Sequence, residues 1–83
     1  MATISVKVWE TYLDAGNIKI NDRPEAKQDQ ITCYVGDTVR LEAILLDAQN
    51  AKFVEWSDRS EDTIRNIVVT EDLSLIADFN TIM

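Results

Sequence analysis

Three carboxylates crowd into one short stretch, Ser57-Asp58-Arg59-Ser60-Glu61-Asp62, and they are the first residues to weigh for chemistry. A calcium loop needs clustered oxygen ligands in a set order. The Asp-x-Asp-x-Asp-Gly order is missing here, and Arg59 stands among the acids, so the stretch reads as a solvated polar turn. Zinc of the usual kind is out, because the chain has no histidine and one cysteine. That cysteine, Cys33, lies in Ile31-Thr32-Cys33-Tyr34-Val35, a strand-like run where a small apolar side chain is expected. A nucleophilic thiol wants a neighbouring base, and no imidazole exists to serve. Acid–base catalysis needs paired carboxylates in a cleft. The acids here fall at turns and on the polar faces of strands, and 83 residues leave little volume for a substrate pocket. Two glycines are too few for a phosphate-cradling loop. The expectation is a protein that is not an enzyme, with no cofactor and no metal.

Binding is the better prospect. Trp9, Tyr12 and Tyr34 are candidates for exposed aromatic platforms, which suit glycan or protein contact; for Trp9 and Tyr12, partial burial over a sheet edge is the competing reading. Phe53 and Trp56 are expected in the core, since a small β-domain needs large side chains to build one. The net charge of −7, with Lys and Arg scattered singly, argues against nucleic acid and against an anionic membrane surface. No apolar run approaches the roughly 18 residues that span a bilayer, so membrane insertion is not expected. With one cysteine there is no internal disulfide, which excludes a disulfide-stapled mini-domain.

The elements that must hold these residues read as β almost throughout. Thr3 to Glu10 alternates, with Ile4, Val6 and Val8 on one face. Asp14-Ala15-Gly16-Asn17 carries a turn signal, and Ile18 and Ile20 mark a short strand after it. Asn21 to Gln30 is polar, holds the only proline, and reads as a loop with room for a helical turn over Pro24 to Gln28. Ile31 to Val35 is a strand, turned by Gly36-Asp37. Thr38 to Leu46 is the clearest strand, with Val39, Leu41, Ala43 and Leu45 on one face. A short aromatic strand, Phe53 to Trp56, follows the turn Asp47-Ala48-Gln49-Asn50. Ile64 to Thr70 is apolar on both faces, so its orientation is ambiguous. The last strand alternates Leu73, Leu75, Ala77 and Phe79 against Ser74 and Asp78. About six or seven short strands with regular turns predict one all-β, or β-rich α+β, domain over residues 1–83, either a small sandwich or a β-grasp-like module. Its structural core is expected to contain Val39, Leu41, Phe53, Trp56, Leu75, Ala77 and Phe79.

The second half resembles a known repeat. Gly36-Asp37-Thr38-Val39-Arg40-Leu41-Glu42-Ala43 after Tyr34, then Phe53-Val54-Glu55-Trp56-Ser57, then Val69-Thr70-Glu71-Asp72 leading to Ala77-Asp78-Phe79, is similar to the internalin-type B-repeat, or Listeria–Bacteroides repeat, family. The likeness runs over Tyr34 to Phe79, and Gly16 to Asn21 suits the family's earlier hairpin. Where the family has a glycine before its Phe-x-x-Trp segment, this chain has Asn50-Ala51-Lys52, and asparagine tolerates the same left-handed backbone. The resemblance implies an all-β or β-grasp-like module in which Phe53 and Trp56 are structural and which acts as a spacer or contacts other proteins.

Family members sit in tandem on bacterial surface proteins. The start Met1-Ala2-Thr3-Ile4-Ser5-Val6-Lys7 lacks the character of a signal peptide, which points to synthesis in the cytoplasm. The expected role is therefore a non-catalytic structural module: an accessory protein of a bacteriophage particle, such as a capsid decoration or head-fibre protein, partnered by a capsid lattice or by itself. The alternative is an adhesion repeat excised from a bacterial surface protein, partnered by a host surface protein or a glycan. In either case Trp9, Tyr12, Ile44, Val54 and Ile76 are the expected interface residues, the last three because they fall on nominally outward strand faces.

Overall fold

The computed structural model describes residues 1–81, and the side chains of these apart from 11–13. In chain order it has β1 (Ala2–Val8), a 3-10 helix (Glu10–Ala15), β2 (Gly16–Ile20), β3 (Gln28–Cys33), β4 (Thr38–Leu45), β5 (Ala51–Trp56), β6 (Ile64–Val68) and β7 (Leu73–Thr81). Among the described residues seven strands form two sheets, one ordered β3-β1-β7-β5 and the other β2-β4-β6. The second layer is thus a sheet, and the all-β sandwich is the form the expectation takes; the β-grasp variant would have placed a helix there. Every pairing is antiparallel except β1 with β7, which run parallel with Val6 beside Leu75.

Period-2 alternation builds the core. Ile4, Val6 and Val8 of β1, Ile18 and Ile20 of β2, Val39 and Leu41 of β4, and Leu75, Ala77 and Phe79 of β7 are all buried between the sheets, around Trp56. No polar or charged residue is buried with them among the described residues. Trp56, wholly buried, donates its indole N–H to the Asp62 carbonyl at 2.7 Å, which satisfies the one polar atom of the largest core side chain. Of the expected core set only Phe53 departs. It is half-buried, stacked edge-on against Trp56 and Phe79 at centroid distances of 5.7 and 5.5 Å. The cause is its place on β5, the outermost strand of its sheet, where one flank has no neighbouring strand among the described residues.

Several local expectations are corrected. The turn expected over Asp14 to Asn17 is instead the end of a 3-10 helix running directly into β2. Gly16 has an extended backbone (φ −164°), so no turn explains it. Space does: a Cβ there would lie 2.3 Å from the Phe79 ring and 2.7 Å from the Ile44 carbonyl oxygen. Residues 24–28 form no helical turn. Ala26 instead bridges to Ile18, and β3 begins at Gln28, inside the expected loop. β3 also ends at Cys33, because Tyr34 to Asp37 is a turn closed by the Asp37 N–H to the Tyr34 carbonyl, with Gly36 at φ +100°. Asn50 does not take the left-handed backbone; Asn21 (φ 52°) and Arg59 (φ 77°) do. Asn50 instead bonds the Asp47 carboxylate through its amide.

Candidate functional site

The inner faces are spent on the core, so any contact surface lies on the two outer faces and the strand edges. On the four-stranded sheet, the outward residues run in rows: Thr32 beside Thr3, Gln30 beside Ser5, Gln28 beside Lys7 beside Ile76, and Asp78 beside Glu55. Most of this face is polar. At its one apolar corner, Trp9, Trp56, Ile76, Glu55, Ser57 and Asp78 line an open depression of about 310 Å³. Trp9 follows β1 directly and is anchored by its N–H to the Ala77 carbonyl at 3.0 Å, leaving the residue 50% exposed.

Glu55 and Asp78 face each other as cross-strand partners, a like-charge pairing that sheets generally avoid. Partial burial, and then the negative charge of Glu55, push the Asp78 carboxyl above its ordinary value. Arg59 offsets part of the charge, with its Nε 3.7 Å from Glu55. An indole face beside two carboxyl groups can stack a sugar ring and accept from its hydroxyls. It can equally take a cationic side chain.

The three-stranded sheet presents a different outer face. Ile44 lies beside Asn17, Lys19 beside Glu42 beside Ile64, Arg40 beside Asn66, and Thr38 beside Val68. Ile64 and Val68, 58% and 60% exposed, are among the most exposed apolar side chains of the fold, on the edge strand β6. Arg65, between them in sequence, turns to the opposite face and makes a two-pronged ion pair with Asp58 at 3.0 and 2.7 Å. That pair holds the Asp58 carboxyl below its ordinary value, chiefly through the hydrogen bonds from Arg65. Asp58 therefore does structural work in the acidic loop. Among the described residues no group of three carboxylates or thiols could hold a metal ion.

The five expected interface residues do not form one patch. Trp9 and Ile76 meet at the depression, whereas Ile44 lies on the outer face of the other sheet. Ile44, Val54 and Ile76 are each half-buried rather than exposed. Ile44 stands beside Asn17 on β2, Ile76 beside Lys7 on β1, and Val54 sits in a β-bulge between Phe53 and Glu55. The side chain of Tyr12 lies outside the described residues. Tyr34 is exposed, as one platform reading had it, and Val35 beside it is exposed too. The pattern reading did not orient Ile64 and Val68; the signal was the spacing Ile64-x-Asn66-x-Val68. Comparison with protein-family models, curated proteins and solved structures gives no match.

Proposed function

We propose that this chain is a non-catalytic structural module that works by protein contact, an accessory protein of a bacteriophage particle being the setting we favour. The observation that carries the reading is the pair Ile64 and Val68, more than half exposed on an edge strand whose outward residues bear no charge. Exposed apolar side chains on a strand edge are an interaction surface or a liability. A repetitive lattice suits such a small contact, because many weak sites acting together give firm attachment. Into the same reading we carry the B-repeat resemblance of the sequence, whose quoted residues Val39, Leu41, Trp56, Ala77 and Phe79 are core residues here. The test is mass spectrometry of particles purified from the bacterium that carries the gene, with the chain expected at a fixed copy number per particle. Its absence from washed particles, while abundant in the cell, contradicts the phage setting.

A second reading rests on a separate observation, the half-exposed Trp9 beside Glu55 and Asp78. It makes the depression a glycan or host-protein contact. Titration with soluble polysaccharides, followed by tryptophan fluorescence, tests it. Trp56 is buried, so a binding change should come from Trp9 and vanish in Trp9→Ala.

A further inference from the structure

We propose that two copies of this chain join through β6, which pairs antiparallel with β6 of the second copy about a two-fold axis at Asn66. This rests on the reading of the chain as a contact module and names its first partner.

The hydrogen-bonding pattern defines the free edge. Thr63 bonds Ala43 at one end of the β4–β6 ladder and Val69 bonds Asp37 at the other. Bonded pairs alternate along an antiparallel ladder, so Arg65 and Ile67 also bond across to β4. Ile64, Asn66 and Val68 consequently aim their backbone N–H and C=O away from β4, at an edge where no other strand of the described residues lies.

The other edges carry protection that β6 lacks. On the β2 side, Ala26 bridges to Ile18. Along β3 the Arg23–Asp29 ion pair, at 2.6 Å, places charge beside the strand. β5 is interrupted by its bulge and carries Lys52 and Glu55. Among the described residues β6 has no proline, bulge or covering segment, and its single charge, Arg65, is neutralised by Asp58 of the same chain.

The occupant follows from charge and symmetry. Each copy carries −7, so two copies can meet only where the contact brings no like charges together. With the axis at Asn66, Ile64 of one copy lies opposite Val68 of the other, and the two Asn66 amides face each other, able to donate and accept. Three residues per copy exchange about six backbone hydrogen bonds. The result is one continuous sheet ordered β2-β4-β6-β6-β4-β2, with apolar side chains paired at the seam.

The test combines sedimentation velocity over a concentration series with residue-resolved amide exchange of the whole chain. The expected result is a reversible dimer in which the amides of Ile64, Asn66 and Val68 gain protection as concentration rises. Asn66→Pro removes an outward N–H without touching the bond pattern to β4. It should weaken dimerisation about tenfold or more while circular dichroism stays unchanged. If that variant misfolds, Ile64→Lys serves the same purpose from the side-chain position. A chain that stays monomeric, a dimer untouched by both variants, or protection that appears elsewhere overturns the proposal. A monomer that still co-purifies with particles overturns the dimer alone and leaves the contact-module reading standing; β6 would then meet a foreign strand.

Discussion

Gly16→Ala is the sharpest perturbation of the packing that joins the two sheets. The new Cβ would lie 2.3 Å from Phe79 Cζ and 2.7 Å from the Ile44 carbonyl oxygen, where ordinary contacts begin near 3.4 Å. The carbonyl belongs to β4, held by the β2–β4 ladder, so the ring must give way by about an ångström. Phe79 is 1% exposed and stacks on Phe53, which leaves it nowhere to go without disturbing a second ring. Overpacking of this kind costs about 1–3 kcal/mol. The entropy that alanine removes from the unfolded chain returns only about 0.4–1 kcal/mol. The net loss is about 1–2 kcal/mol, and at roughly 4–8 °C per kcal/mol for a domain of this size Tm should fall by about 5–15 °C. Thermal unfolding followed by circular dichroism reads this directly. Because the backbone at Gly16 is extended, no strain term competes with the steric one. Trimming the ring with Phe79→Leu should therefore cost less in the Gly16→Ala background than in the native chain. An unchanged or raised Tm for Gly16→Ala, or strict additivity of the two substitutions, refutes the reasoning.

Other perturbations test other parts of the structure. Trp56→Phe deprives the Asp62 carbonyl of its donor and leaves space in the core, so urea unfolding should show a loss of about 2–4 kcal/mol. Asp78→Asn removes a like charge opposite Glu55 and should stabilise the fold by about 0.2–1 kcal/mol at neutral pH. Asp78 has a raised carboxyl pKa in the folded chain, so its ionisation costs stability as pH rises from its ordinary value of 3.8. The gain from Asp78→Asn should accordingly shrink to nothing below that pH, and a gain that persists in acid contradicts the assignment. Asp58 has the opposite sign: its pKa is lowered by Arg65, so the stability it contributes is present above 3.8 and is lost as pH falls through the folded value. Unfolding free energies of the native chain and Asp58→Asn, measured in urea, should converge in acid and differ at neutral pH by no more than about 1 kcal/mol, since the pair is partly solvent-exposed.

The sandwich was legible because strict alternation over Ile4, Val6 and Val8, over Val39, Leu41 and Ala43, and over Leu75, Ala77 and Phe79 fixes which side of each strand faces the core. What escaped was set by partners distant in sequence. Gly16 carried a turn signal, yet its reason is the ring of Phe79, which no local pattern shows. β6 was ambiguous because its run is apolar on both faces; in the fold Arg65 turns away from the outer face and is matched by Asp58. Its inward turn pushes Ile64 and Val68 out. Ile44 and Ile76 were correctly placed on outward faces. Their partial burial was not legible locally, and Ile76 shares its depression with Trp9, whose position depends on the chain leaving β1 at Val8. The parallel β1–β7 pairing, joining the two ends of the chain, likewise has no local signature.

The β6 row of Ile64, Asn66 and Val68 is proposed to join two copies of the chain. Light scattering of the native chain and of Ile64→Lys, side by side over a concentration series up to about 1 mM, tests it most directly. The account predicts a native mass rising toward twice that of the single chain while the variant stays at the monomer value with the same thermal stability. A native chain that remains monomeric throughout, indistinguishable from the variant, contradicts it.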